Sequence, residues 1–127
     1  PLAYIGFNGK GKQVRDIIHI DDVFDILHLQ LKNMPKFDGK TYNIGGGIKN
    51  SVSLLELTKH CQKITGKKVE IKSILGTRPG DIGIYITDNT KITKDSGWEP
   101  KKTVSHTLKD IYKWIIKNKI NLKDVLE

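Results

Sequence analysis

An arginine set among apolar and β-branched residues must meet a carboxylate or a bound anion, because its guanidinium does not shed charge at any accessible pH. Arg15, within Val14-Arg15-Asp16-Ile17, is such a residue. Its spacing leaves both partners open: Asp16, Asp21 or Asp22 on one side, an anionic ligand on the other. A second forked cation, Arg78, lies in Thr77-Arg78-Pro79-Gly80-Asp81, where Pro79 and Gly80 fix a turn carrying a cation and a carboxylate together. Arg78 and Asp81 suit a phosphate and a ribose hydroxyl, although a solvent-exposed turn is the commoner fate of such a sequence.

Two glycine-rich stretches invite phosphate chemistry. Gly6 to Gln13, GFNGKGKQ, has the glycines and lysine of a P-loop, but Gln13 stands where Ser or Thr would hold magnesium. A P-loop must also open a helix, and the VRDIIHI that follows reads as a strand, so a hairpin turn is expected. Gly45-Gly46-Gly47 lies between an apparent strand and helix, yet Asn50 occupies the third fingerprint position of a dinucleotide loop. The three glycines still permit a sharp turn close to a ligand.

Other chemistries lack their residues. His19, His28, His60, His106 and Cys61 have no zinc-like spacing, so no metal site is expected. No GxSxG nucleophile turn occurs. Asp21, Asp22 and Asp25 read as carboxylates at a helix N-terminus rather than as an acid and base pair.

The elements that would position these residues follow from periodicity. Leu2–Phe7 and Gln13–Ile20 are β-prone and read as a hairpin around the glycine turn. Asp21 and Asp22 open a helix whose Val23, Phe24, Ile26, Leu27 and Leu31 recur at helical spacing, ending before Pro35 and Gly39. Thr41–Ile44 reads as a short buried strand. Ser53 and Glu56 form a capping-box pattern, Leu54, Leu57, Cys61 and Ile64 share a helix face, and Gly66 suits a left-handed end. Val69–Ile74 and Ile84–Thr87 read as strands flanking a polar loop at Thr77–Gly83. A helical piece follows Asp88 and stops at Gly97, and a last helix carries Val104, Leu108, Ile111, Tyr112 and Ile115. No repeat or linker divides the chain.

With 127 residues, one domain with one modest core is expected. The net charge of +8 comes from 22 basic residues against 14 acidic ones, mostly lysines spread along the chain. Such a balance suits a small polyanion such as a diphosphate. Nucleic-acid binding would want a basic stripe with interleaved aromatics, which the scattered aromatics do not supply. No apolar run nears the ~20 residues of a membrane span, and a single cysteine fits a reducing compartment, so a cytoplasmic location is expected.

In order, the chain contains GKQVRDIIHIDD, GKTYNIGGG, NSVSLLEL, RPGD and DSGWEPK. That succession resembles the C-terminal half of the NAD-dependent nucleotide-sugar epimerases and dehydratases of the extended short-chain dehydrogenase/reductase family, from Leu2 to the last helix. QVRD and NSVSLLEL look most like its CDP-paratose 2-epimerase branch. The resemblance implies an α/β fold: the C-terminal lobe of such an enzyme, a small mixed sheet with about four helices, lacking most of the Rossmann domain. It also implies that Arg15 and Arg78 grip the diphosphate of a nucleotide sugar and Asp81 hydrogen-bonds the ribose. Asn50 would be a further diphosphate contact, and Gln13 a support for Arg15.

The family's NAD fingerprint and Tyr-x-x-x-Lys pair belong to an upstream half. Here the residues four after Tyr4, Tyr42, Tyr85 and Tyr112 are Asn8, Gly46, Asn89 and Ile116. No catalytic or NAD-binding residue is therefore expected within residues 1–127, which would be an inactive substrate-binding portion of a longer, homo-oligomeric enzyme. In the whole enzyme, the family's tyrosine would act as base during transient oxidation of the sugar by NAD. A 4,6-dehydratase or decarboxylase would share this half, and a non-catalytic nucleotide-sugar binding module or a purely structural domain are readings from other classes. The strand at Thr41–Ile44 would join the Rossmann sheet, leaving its edges unpaired here and the chain prone to self-association or to binding its missing half.

Overall fold

Gly6, Phe7, Asn8, Gly9 and Gly11 all take positive φ, between 49° and 75°. A run of such residues turns the chain too far for a hairpin, and the two flanking strands part company. In the computed structural model, which describes residues 2–126 and side chains as far as Leu122, β1 (Ala3–Ile5) pairs in parallel with β4 (Lys72–Ile74). Strand β2 (Val14–Asp16) joins a second sheet, antiparallel to β3 (Ser51–Ser53) and parallel to β5 (Ile84–Tyr85). The expected hairpin is thus corrected: pairing distant in sequence replaces local pairing. The P-loop geometry is equally absent, since the turn at Phe7–Gly9 leads into β2 and not into a helix.

The helices are α1 (Ile20–Lys32), α2 (Met34–Phe37), α3 (Leu54–Thr65), α4 (Thr90–Ser96), α5 (Val104–Lys117) and α6 (Lys119–Leu126). The four expected from periodicity are present, and two short ones, α2 and α6, add to them. Helix α3 starts with the reciprocal capping box: the Glu56 N–H donates to Ser53 Oγ and the Ser53 N–H to Glu56 Oε2. Helices α3 and α4 end at Gly66 and Gly97 in the left-handed region, as their sequences dictate. Helix α1 is capped by a residue that the sequence did not flag. His19 Nδ1 accepts the Asp21 N–H at 3.0 Å, serving where Ser or Asp usually does.

Residues 41–44 form no strand among the described residues. A strand exists only through a neighbour, and here none lies alongside. Tyr42 and Ile44 instead pack against the small core of Ile26, Phe37, Ile92 and Trp98. Tyr42 also ties this segment to α4, its hydroxyl donating to Asp95 at 2.8 Å. Helix α1 supplies a second correction. Only Ile26 of its expected apolar face is buried, while Ile20, Phe24, Leu27 and Leu31 are exposed along an i, i+4, i+7, i+11 ridge. No described helix is long and apolar enough to cross a membrane.

Candidate functional site

The parallel register of β2 and β5 builds the charged site. Val14 lies opposite Ile84 and Arg15 opposite Tyr85, and the Val14 N–H donates to Gly83 O at 2.8 Å. The residues just before β5 are thereby laid beside those just before and within β2. Gln13 and Arg15, two apart in extended chain, present their side chains to the same face, and both meet Asp81. Arg15 Nη2 stands 3.6 Å from Asp81 Oδ1, and Gln13 Nε2 stands 3.4 Å from Asp81 Oδ2. The remaining Arg15 arm donates to Val14 O at 2.7 Å.

Of the partners that spacing alone left open, Arg15 takes none of Asp16, Asp21 and Asp22. Its carboxylate comes from the distant Arg-Pro-Gly-Asp loop. The guanidinium side chain is 41% exposed and that of Asp81 26%, so the cation faces an approachable surface rather than a sealed core. Gln13 is only 7% exposed. Its Nε2 donates to Ile5 O at 2.6 Å, while its Oε1 is buried without a partner. Arg78 lies on the same loop and is exposed. Its backbone O accepts the Asp81 N–H at 3.1 Å, the turn that Pro79 and Gly80 foretell.

Asn50 is brought elsewhere. It is buried, its side-chain amide donates to Lys102 O at 3.0 Å, and its carbonyl accepts the Ile17 N–H. In this position it fastens the glycine loop to the start of α5.

The glycine loop has a packing reason for each of its first two residues. A Cβ on Gly45 would collide with Thr87 Oγ1 and Asp16 Oδ2, and one on Gly46 with Ile17 O. Asn89 clamps Gly45 from both sides, accepting its N–H at 3.0 Å and donating to its O at 2.9 Å. The Gly47 N–H donates to Asp16 Oδ2 at 2.9 Å. Burial works to raise the Asp16 carboxyl, yet hydrogen bonds from Gly47 and Thr87 together hold it below the usual carboxylate range. Gly45 and Gly46 are thus required by the protein's own packing.

A cleft of about 590 Å³ runs along the same loop, between Gly46–Lys49 and Ile86–Thr90. None of Gln13, Arg15, Asn50, Arg78 or Asp81 lines it. That cleft therefore lies apart from the charged cluster, and the charge geometry is the better guide to an anion site, since it holds the Arg15 guanidinium beside Asp81.

Two groups escaped the sequence reading. Asp22 is buried and accepts the Lys101 and Lys102 N–H groups at 3.0 and 3.1 Å, while Trp98 Nε1 donates to its backbone O. A carboxylate so held anchors the segment before α5 to α1. His19 and His106 both approach Asp110 Oδ2, at 3.5 and 3.1 Å, joining α1 to α5. The only available signal was the pairing of acidic α1 residues with Lys101 and Lys102, which spacing does not reveal. Among the described residues no three His, Cys, Asp or Glu side chains form a metal-holding group.

This geometry can be set beside known proteins. Residues 4–111 match the family described as GDP-mannose 4,6 dehydratase. CDP-paratose 2-epimerase of Salmonella typhi is 36% identical over 107 residues, which are 84% of this chain and 31% of that protein. The structure of UDP-glucuronic acid 4-epimerase from Bacillus cereus, in complex with UDP-glucuronic acid and NAD, superposes with a TM-score of 0.73 at 28% identity. It covers 88% of this chain and 35% of that one. dTDP-glucose 4,6-dehydratase from Bacillus anthracis str. Ames, in complex with NAD, superposes with a TM-score of 0.69 at 26% identity, over 91% and 34%. The chain spans about a third of the length of the relatives it matches. With its α/β architecture, its ordered motifs and a match over most of its length, the chain belongs to the epimerase and dehydratase family of extended short-chain dehydrogenases/reductases.

Proposed function

We propose that this chain is the nucleotide-sugar-binding portion of an NAD-dependent sugar epimerase, with Arg15 and Arg78 on the diphosphate, Asp81 on the ribose and Gln13 supporting Arg15, while Asn50, turned to Lys102, holds the glycine loop rather than the diphosphate. The observation that carries this reading is the meeting of Gln13, Arg15 and Asp81 on one approachable face, with Arg78 on the Asp81 loop. Two guanidinium forks match the paired oxygens of a pyrophosphate. Binding energy taken from that remote handle orients the sugar for reaction. In the whole enzyme NAD would supply a hydride acceptor for transient oxidation of the sugar, and its site lies outside this chain. The reading carries with it a cytoplasmic, homo-oligomeric enzyme, and a chain inactive by itself.

Two measurements test it. Titration calorimetry of the chain with CDP and UDP should give saturable binding, which Arg15→Lys weakens about tenfold or more, because a point charge cannot reproduce the fork. The full reading frame should interconvert epimeric nucleotide sugars; release of a 4-keto-6-deoxy product instead would favour a dehydratase. The Arg15–Asp81 ion pair also suits a second, purely structural reading. On that reading Arg15→Lys lowers the melting temperature and neither diphosphate binds.

A further inference from the structure

We propose that the Arg15–Asp81 ion pair is a latch that an incoming diphosphate displaces, so that occupancy of the anion site releases the central part of the loop 75–83. The inference rests on the nucleotide-binding reading above and adds to it the state of the empty site. The loop is pinned at its ends. The Gly6 N–H donates to Ile74 O, Phe7 N–H to Thr77 Oγ1 at 3.0 Å, and Val14 N–H to Gly83 O. Between Thr77 and Gly83, the side chains that reach the rest of the fold by hydrogen bond or ion pair, among the described residues, reduce to one. That side chain is Asp81, through contacts of 3.4 Å to Gln13 and 3.6 Å to Arg15.

Both contacts are long for their kind, and a partly exposed pair of this sort is weakly held. Ile82 is exposed, and Gly80, at φ 79°, has no atom within 4 Å of where a Cβ would stand.

A diphosphate outcompetes a carboxylate for this cation. It carries more charge and presents paired oxygens to the fork. Once it takes Arg15, the Asp81 carboxylate lies beside phosphate oxygens of its own sign and is repelled. Asp81 and Arg78 sit three residues apart on one turn, so release frees both: the carboxylate for a hydroxyl, the guanidinium for the second phosphate. The latch thus acts as an internal competitor, and its removal raises affinity for a bare anion while taking away an acceptor for the nucleoside.

Inorganic pyrophosphate separates the two roles. Asp81→Asn should bind pyrophosphate about two- to fivefold more tightly than wild type while binding UDP no better. In amide NMR spectra, the Gln13 side-chain NH₂ signals should move on adding pyrophosphate to the wild-type chain but not to the variant. A simple loss of negative field would tighten binding without the Gln13 shift. Equal or weaker pyrophosphate binding by Asp81→Asn, or an unmoved Gln13 signal in a wild-type chain that binds, overturns the latch and leaves the nucleotide reading standing. Failure of both chains to bind either pyrophosphate or UDP overturns both. Dispersed amide spectra in both chains establish that they are folded.

Discussion

At the scale of single residues, several carboxylates in this chain act as acceptors for backbone N–H groups. Asp22 holds the approach to α5, and Asp16 holds the glycine loop through Gly47. Because the folded-state carboxyl of Asp16 is depressed, its contribution to stability is present above the unfolded value of 3.8 and is lost as pH falls through the folded value. Asp16→Asn should therefore be less stable than wild type at neutral pH, with the gap between their melting temperatures narrowing as pH drops below 3.8. A gap that stays constant from neutral pH to pH 3 would remove Asp16 from that role. Arg15 and Asp81 belong to the same scale. Arg15 was legible as a ligand for an anion and Asp81 as an acceptor for a ribose hydroxyl, but their mutual contact was not, because nothing in a linear spacing brings residue 15 to residue 81.

At the scale of elements, the best-specified start is that of α3. Ser53 and Glu56 satisfy each other's backbone donors, a local arrangement that needs no tertiary partner. Ser53→Ala should cost about 1 kcal/mol in chemical unfolding, and a loss near zero would show the cap to be redundant with the β3 pairing next to it. Strands behave oppositely. Each described strand has two or three residues, short enough that propensity alone cannot choose its neighbour. Leu2–Phe7 and Gln13–Ile20 were β-prone in sequence and did yield β1 and β2, yet each is paired with a strand remote in sequence. Residues 41–44 also read as β-prone and form none among the described residues.

At the scale of the whole molecule, the described core is small: four buried residues with a few partly buried ones around them. Against it stands the α1 ridge of Ile20, Phe24, Leu27 and Leu31, exposed over a full side of a 13-residue helix. An uncovered apolar stripe of that length is an association surface. The chain should sediment as a dimer or larger species, and Phe24→Glu combined with Leu27→Glu should return it to monomer with little change in melting temperature. A wild-type chain that is monomeric and melts cooperatively would contradict this. The ridge also qualifies the periodicity argument. Helical spacing correctly found α1, but burial of its face depends on what lies opposite, and among the described residues only Ile26 of that face is fully buried.

The sequence by itself determined the features whose causes lie within a few residues: the capping box of α3, the left-handed ends at Gly66 and Gly97, the turn at Pro79-Gly80, and the order of motifs that marks the family. These are set by backbone sterics and local hydrogen bonds, which a chain carries wherever it folds. Tertiary structure alone decided which strands pair, that Asp81 rather than a neighbouring aspartate meets Arg15, that Asn50 turns inward to Lys102, and that Gly45 and Gly46 make room for Asp16, Thr87 and Ile17. The reason is common to all four. Each depends on a partner far away in sequence, and the free energy of choosing that partner comes from packing and register, neither of which is written at the position itself.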